Sequence, residues 1–284
     1  MMKKEKPSNT NDFGVNNHIV ICNWSDKTDL LIKQLHDPSI EERFPIIIVT
    51  EHPEEIPDFD EDDSYRGIMI VKGNSTHEET LLRAGVDTAK TVIVLADRSL
   101  GESADTKTIM TAIAIDHIVP DVHVVAEVLL SSNVPYFSYT FVNEIICLEL
   151  LTERLLAQSC LTPGVSFIFK DLLTQSSDTN EIYVESIPDK YIGKTYQELR
   201  SVICNTEDID MILIGLSTFT ERVSSTGEPI LNYSGEVVME KALVINPKIP
   251  DNKKDEKFSR EYILQKEDKI FLISYSRPNL NEIL

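Results

Sequence analysis

The sequence predicts an α/β fold: a doubly wound parallel sheet, two linking helices, then a small α+β C-terminal lobe. Three observations carry that prediction. Short β-branched runs alternate with amphipathic stretches from His18 to Cys147. Two helical segments then follow one another, between 148 and 175, without a strand between them. From 176 onward the texture changes to alternating apolar and polar residues broken by polar turns.

Residues 1–17, with Pro7, Ser8, Asn9 and Asn11, are polar and read as a flexible lead-in. Apolar runs follow at 18–22, 45–50, 67–71, 91–95, 121–127 and 142–147. Most are short and nearly continuous, as strands covered on both faces are. Helices are expected between them at 26–36, 76–84, 103–118 and, shorter, near 130–138. In "LELLTERLLAQS", Leu148, Leu151 and Leu155 fall at helical spacing. Thr162 is placed to cap a second helix, "GVSFIFKDLLTQ", with Pro163 in its first turn.

Phe167, Phe169, Leu172 and Leu173 in that helix exceed what one small lobe needs. With Leu151 and Leu155 they make 148–175 a candidate dimer contact, with intramolecular packing as the other reading. After the polar break at Ser176 to Asn180, "EIYVESI", "DMILIGLST", "KALVINP" and "DKIFLISYS" read as mostly antiparallel strands and "KTYQELRSVI" as a helix. The stretch from Phe219 to Glu240, with Gly227, Pro229 and Gly235, reads as a loop or hairpin excursion. The expected units are therefore 18–147, 148–175 and 176–284.

Composition bounds the function. With 42% hydrophobic and 26% charged residues, the chain describes a soluble globular protein. No stretch approaches the roughly 18 apolar residues of a membrane span, and the start has no apolar run of the kind a secretory signal needs. The net charge of −20 repels nucleic acid phosphates, and no basic stripe offsets it. Eight carboxylates and no Lys or Arg lie between Glu51 and Asp63, which reads as a solvated loop. Cys22, Cys147, Cys160 and Cys204 lack C-x-x-C spacing and are expected to be reduced and buried.

The turn in "HIVICNWSDKT" is where a dinucleotide fingerprint would place G-x-G-x-x-G, and Asn23, Ser25 and Thr28 stand at its glycine positions. Asn23 can still adopt a left-handed turn. Ser25 adds a side chain where a diphosphate would lie, and Asp26, with Asp29 three residues on, is expected to cap the helix from within. Lys27 offers a compensating charge. The frame is Rossmann-like without the glycines. Glu51, just after the second strand, stands where a ribose-binding carboxylate belongs, although further on than the usual ~20 residues. Asn74 and Asp97 follow the third and fourth strands, at the ends where open parallel sheets bind ligands. Asn23, Ser25, Lys27, Glu51, Asn74 and Asp97 form the candidate nucleotide set.

Asp97, Glu102, Asp105 and Glu127 form a candidate cation set, since hard cations such as Ca²⁺ take about six to eight oxygens. The histidines show no H-x-x-x-H or H-E-x-x-H pairing, which argues against zinc. No nucleophile elbow, P-loop lysine or acid–base pair stands out, so no enzyme is expected.

The order of parts resembles the RCK domains that regulate K⁺ conductance. "HIVICNWSDKT" is similar to the first strand and turn in RCK domains of ligand-gated potassium channels. "KGNSTHEETLLRAGVDTAKTVIVLAD" and "VVAEV" resemble the family's third-to-fifth strand region. "LAQSCLTPGVSFIFKDLL" is similar to the crossover in bacterial channels of this family and in Castor/Pollux-type channels. The resemblance covers roughly 18–275 and is strongest in the first lobe.

It implies a cytoplasmic gating-ring domain at the inner face of the membrane, paired through two crossover helices and assembled as an octameric ring below a potassium channel pore. Ligand binding, of Ca²⁺ or another cation or of an adenine nucleotide, would change the angle between lobes. Of the acidic positions used in calcium-gated prokaryotic channels, Glu127 matches one, while Leu95 and Leu129 occupy the others. A soluble nucleotide-sensing subunit of a Trk/Ktr-type uptake system is the related alternative, and an NAD(P)-dependent oxidoreductase is the alternative of another class. The chain would be either a separate subunit or the cytoplasmic part of a longer channel, with Lys3, Lys4 and Lys6 suiting a linker from a pore helix.

Overall fold

A computed structural model of the chain describes residues 11–283, apart from 41, 58–64, 175, 177, 206–209, 222, 224–226, 230–236, 238 and 250–258. The chain divides into two compact units, residues 1–166 and 167–284. The division falls inside the predicted linking segment 148–175.

The first unit is built on strands β1 (Ile19–Cys22), β2 (Ile46–Thr50), β3 (Ile68–Lys72), β4 (Thr91–Val94), β5 (His123–Val128) and β6 (Glu144–Cys147). They form one parallel sheet in the order β3-β2-β1-β4-β5-β6. Between them run helices α1 (Asp26–Leu35), α2 (Glu78–Arg83) and α3 (Ala104–Ile118). A 3-10 helix at Ser131–Tyr139 holds Pro135 and takes the place of the short helix expected near 130–138.

All residues of β1 and β2 are buried, and successive side chains serve opposite faces. Val20, Cys22, Ile47 and Val49 join Leu81 of α2 and Ile115 of α3 in one core layer. Ile19, Ile21, Ile46 and Ile48 join Ile32 of α1 in the other. Two covered faces are what made these strands read as continuous apolar runs.

The described part of the lead-in is anchored. Asp12 N–H donates to Arg83 O at 3.0 Å, its carboxylate pairs with Arg83 Nε at 3.0 Å, and Asn17 N–H donates to Thr88 O at 2.9 Å. Gly85 turns at φ +68°, and a Cβ there would stand 2.3 Å from Asn11 Nδ2, so a larger residue would dislodge the lead-in. Residues 12 and 17 are thus tied to the last residue of α2 and to the turn that follows it, by two backbone hydrogen bonds and the Asp12 carboxylate. Lys3, Lys4 and Lys6, and much of the acidic stretch after Glu51, lie outside the described residues.

Helix α4 (Leu148–Leu161) ends the first unit. Thr162 is its C-terminal cap, and Thr162-Pro163-Gly164 is a turn with Gly164 at φ +95°. Helix α5 (Val165–Leu172) starts after it, so Pro163 sits in the turn and not in a helical first turn as expected.

The second unit has an antiparallel sheet of β7 (Glu181–Ser186), β8 (Met211–Glu221), β9 (Met239–Ile245) and β10 (Lys269–Ser274), in the order β7-β10-β8-β9. Helix α6 (Tyr196–Asn205) covers one face, with Tyr196, Leu199 and Ile203 against Leu213, Leu216, Ile270 and Leu272. Thr195 and Glu198 cap α6 reciprocally: Glu198 N–H donates to Thr195 Oγ1 at 3.1 Å and Thr195 N–H to Glu198 Oε2 at 2.7 Å. β8 and β9 pair from Gly215–Ile245 to Glu221–Met239, so strand enters the expected excursion from both ends. A short helix α7 (Leu280–Ile283) closes the unit. All four cysteines are free, and Cys160 and Cys204 are exposed, correcting the expectation that all are buried.

Candidate functional site

The sheet order reverses at β1, whose neighbours are β2 and β4. Their C-terminal ends surround a cleft of about 420 Å³, the position at which open α/β sheets bind ligands.

The turn after β1 forms the first wall. Asn23 adopts the left-handed conformation at φ +73°, donates its N–H to Val49 O at 2.8 Å and its side-chain amide to Leu95 O at 2.7 Å. One asparagine thereby ties the ends of β1, β2 and β4 together. Ser25 is the N-cap of α1, and its N–H donates to Thr28 Oγ1 at 3.0 Å. Thr28 is fully buried. The cap is therefore Ser25 with Thr28, not Asp26 with Asp29: Asp26 is already helical, and Asp29 pairs with Lys33 at 3.1 Å.

Two ion-pair groups cross the cleft. Lys107, on α3, donates to Glu51 Oε2 at 2.8 Å and to Asp97 Oδ2 at 3.0 Å. Burial pulls the Lys107 pKa down, but hydrogen bonds to Glu51 and Asp97 and their charges more than reverse it, leaving it raised. Burial pushes the Asp97 carboxyl up, yet bonds from Ser99 and Lys107 outweigh this and hold it below its usual range. In the second group, Lys27 of α1 is hydrogen-bonded to Glu127 of β5, and Arg98 stands 3.7 Å from the same oxygen. The other Glu127 oxygen accepts Ala96 N–H at 3.2 Å.

Asn23, Ser25, Lys27, Glu51 and Asp97 of the candidate nucleotide set line this cleft. Asn74 does not: its side-chain oxygen accepts from Thr76 N–H at 2.9 Å and Thr76 Oγ1 at 2.8 Å, shaping the turn before α2.

The candidate cation set is not gathered. Asp105 is buried and accepts from Leu129 N–H at 2.8 Å, Leu130 N–H at 3.0 Å and Asn133 Nδ2 at 2.8 Å, fixing the chain beyond β5. Glu102 is exposed, Asp97 faces Lys107, and Glu127 faces Lys27. Among the described residues, no three or more His, Cys, Asp or Glu side chains sit where they could hold a metal ion. Asp97, Asp105 and Glu127, which looked available in sequence, are spent on backbone amides and lysines.

Lys107 escaped the sequence reading. A lysine in the first turns of a helix after the fourth strand reads as solvated, and only the sheet order carries it over the end of β1. Arg98 and Trp24 also line the cleft without having been singled out. Burial pushes the Cys22 thiol up to about 12, so it stays protonated beneath the cleft.

Residues 14–126 match the family model described as the calcium-activated potassium channel slowpoke-like RCK domain. This stretch of the first unit is similar to an RCK domain. The chain is 29% identical over 176 residues to the calcium-gated potassium channel TvoK of Thermoplasma volcanium, covering 60% of this chain and 47% of that protein. It is 23% identical over 275 residues to the probable ion channel POLLUX of Oryza sativa subsp. japonica, covering 91% of this chain and 24% of that one. The chain thus spans less than half the length of either relative. Among solved structures, the human SLO3 gating ring matches with a TM-score of 0.62 at 18% identity, over 94% of this chain and 45% of that one. That likeness is one of fold, and it reaches into the second unit as well as the first. No helix among the described residues is long and apolar enough to cross a membrane.

Proposed function

We propose that this chain is the ligand-sensing regulatory region of a potassium channel, acting at the cytoplasmic face of the membrane, and that its ligand is an adenine nucleotide. The observation that carries this reading is an RCK lobe whose switch-point cleft is lined by Lys27, Arg98, Glu51 and Asp97. Lys27 and Arg98 would meet the phosphates, Glu51 a ribose hydroxyl, and Trp24 the base, with Asn23 and Ser25 shaping the wall.

The nucleotide phosphate competes with Glu127 for Lys27. Binding therefore frees α1 from β5, and a ligand that favours one arrangement of a two-state element shifts its population. The chain would pair through α4 and α5, where Leu151, Leu155, Phe167, Phe169 and Leu172 are half-buried or exposed within one chain, as a partner-covered surface requires. Pairs assembled as an octameric ring would transmit the change to a pore.

The test is thermal melting of the chain with ADP, ATP or NAD⁺. A ligand at 100 times its Kd adds about 2.7 kcal/mol, which the Lys27→Ala variant should largely lose. If none of the three nucleotides shifts the wild-type curve, the nucleotide reading is wrong.

A further inference from the structure

We propose that Lys107 is the resident cation of the cleft: its ammonium takes the place a free cation would occupy between Glu51 and Asp97, and it thereby closes the switch point to metal ions. Glu51 follows β2 and Asp97 follows β4, the two strands that flank β1. Their carboxylates converge on one point, and Lys107 Nζ holds it at 2.8 Å and 3.0 Å. The Lys107 side chain is 12% exposed, whereas those of Glu51 and Asp97 are 40% and 24% exposed, so the ammonium is the inner member of the trio. Asp97 is further fixed by Ser99 N–H at 3.2 Å and Ser99 Oγ at 2.5 Å.

Two carboxylates aimed at a single position are oxygen donors for a hard divalent cation. A covalently tethered ammonium is always present at the site, unlike a free cation, and links α3 to the ends of β2 and β4. The cleft is thus left to ligands that bring negative charge to Lys27 and Arg98. This role for Lys107 is separate from the nucleotide reading, which is tested by the response of the wild type to nucleotide.

The experiment replaces Lys107 by Met and, in parallel, by Gln and by Arg. Each is melted in EDTA and in millimolar Ca²⁺, and Tb³⁺ luminescence excited through Trp24, the single tryptophan and a cleft residue, reports occupancy. Lys107→Met and Lys107→Gln are expected to gain a Ca²⁺-dependent rise in melting temperature of about 3 °C or more and sensitised Tb³⁺ emission. Both gains should vanish on adding Asp97→Asn, and the wild type and Lys107→Arg should show neither. If the neutral variants do not fold in EDTA, Ca²⁺ is expected to restore folding by supplying the missing charge. Neutral variants that fold without a Ca²⁺ response, that fail to be rescued by Ca²⁺, or that respond no more than the wild type overturn the proposal.

Discussion

Lys27 on the first turn of α1 is hydrogen-bonded to Glu127 near the end of β5, a residue 100 positions away. The pair joins a half-exposed cation to a buried carboxylate that also accepts Ala96 N–H. Replacing Glu127 by Gln keeps an acceptor for that amide while removing the charge that competes with phosphate. Glu127→Gln should therefore tighten ADP binding by roughly 3- to 10-fold, about 0.7–1.4 kcal/mol. Calorimetric titration checks this, and unchanged affinity would place the phosphate elsewhere.

A second prediction concerns acid. The folded Asp97 pKa lies below its ordinary 3.8, so its stabilising contribution is fully present above that value and is lost as pH falls through the folded one. Lys107 is raised from 10.5, so its contribution is complete below that value and is lost only as pH rises through the folded one. Urea unfolding should show wild type more stable than Asp97→Asn near pH 6, with the gap closing as pH falls below the ordinary carboxylate value. The gap should be modest, because Asp97 is partly exposed and screened by water.

Asp105 gives a third. Its three accepted bonds all come from residues 129–133, and the carboxylate is buried. Asp105→Ala leaves the two backbone amides without a partner and should cost about 2–4 kcal/mol in denaturant unfolding. Stability of the wild type should be the same in EDTA and in Ca²⁺. A Ca²⁺-dependent difference abolished by Asp105→Ala would return this residue to the cation set.

The linking helices supply a fourth. Leu151 and Phe167 are 52% and 76% exposed, so acidic substitutions there should change chain stability by less than about 1 kcal/mol. They should nevertheless abolish the proposed self-association in sedimentation experiments. Unchanged mass for both Leu151→Asp and Phe167→Asp would remove these helices from the contact.

Which parts were legible in sequence follows from what each residue answers to. The strands of the first lobe were plain because Ile19 to Cys22 and Ile46 to Val49 are buried on both faces and must be apolar throughout. Asn23 was readable as a left-handed residue because few side chains tolerate that backbone. The cap was misread because Asp26 and Ser25 are both good N-cap types, and the choice was made by the three-dimensional fit of Thr28 beneath the helix. Carboxylate partners were the least legible. Asp105 and Glu127 look alike in sequence, yet one is consumed by amides from beyond β5 and the other by a lysine 100 residues away. Lys107 reaches the cleft only because β4 returns beside β1.

Whether the cleft binds a nucleotide is read most directly from melting curves of the unaltered chain as ADP is raised. A nucleotide-binding cleft should give a saturable rise reaching about 5–10 °C at 100 times the Kd, which falls away in Lys27→Ala. A curve that stays in place at every ADP, ATP and NAD⁺ concentration up to millimolar would contradict it.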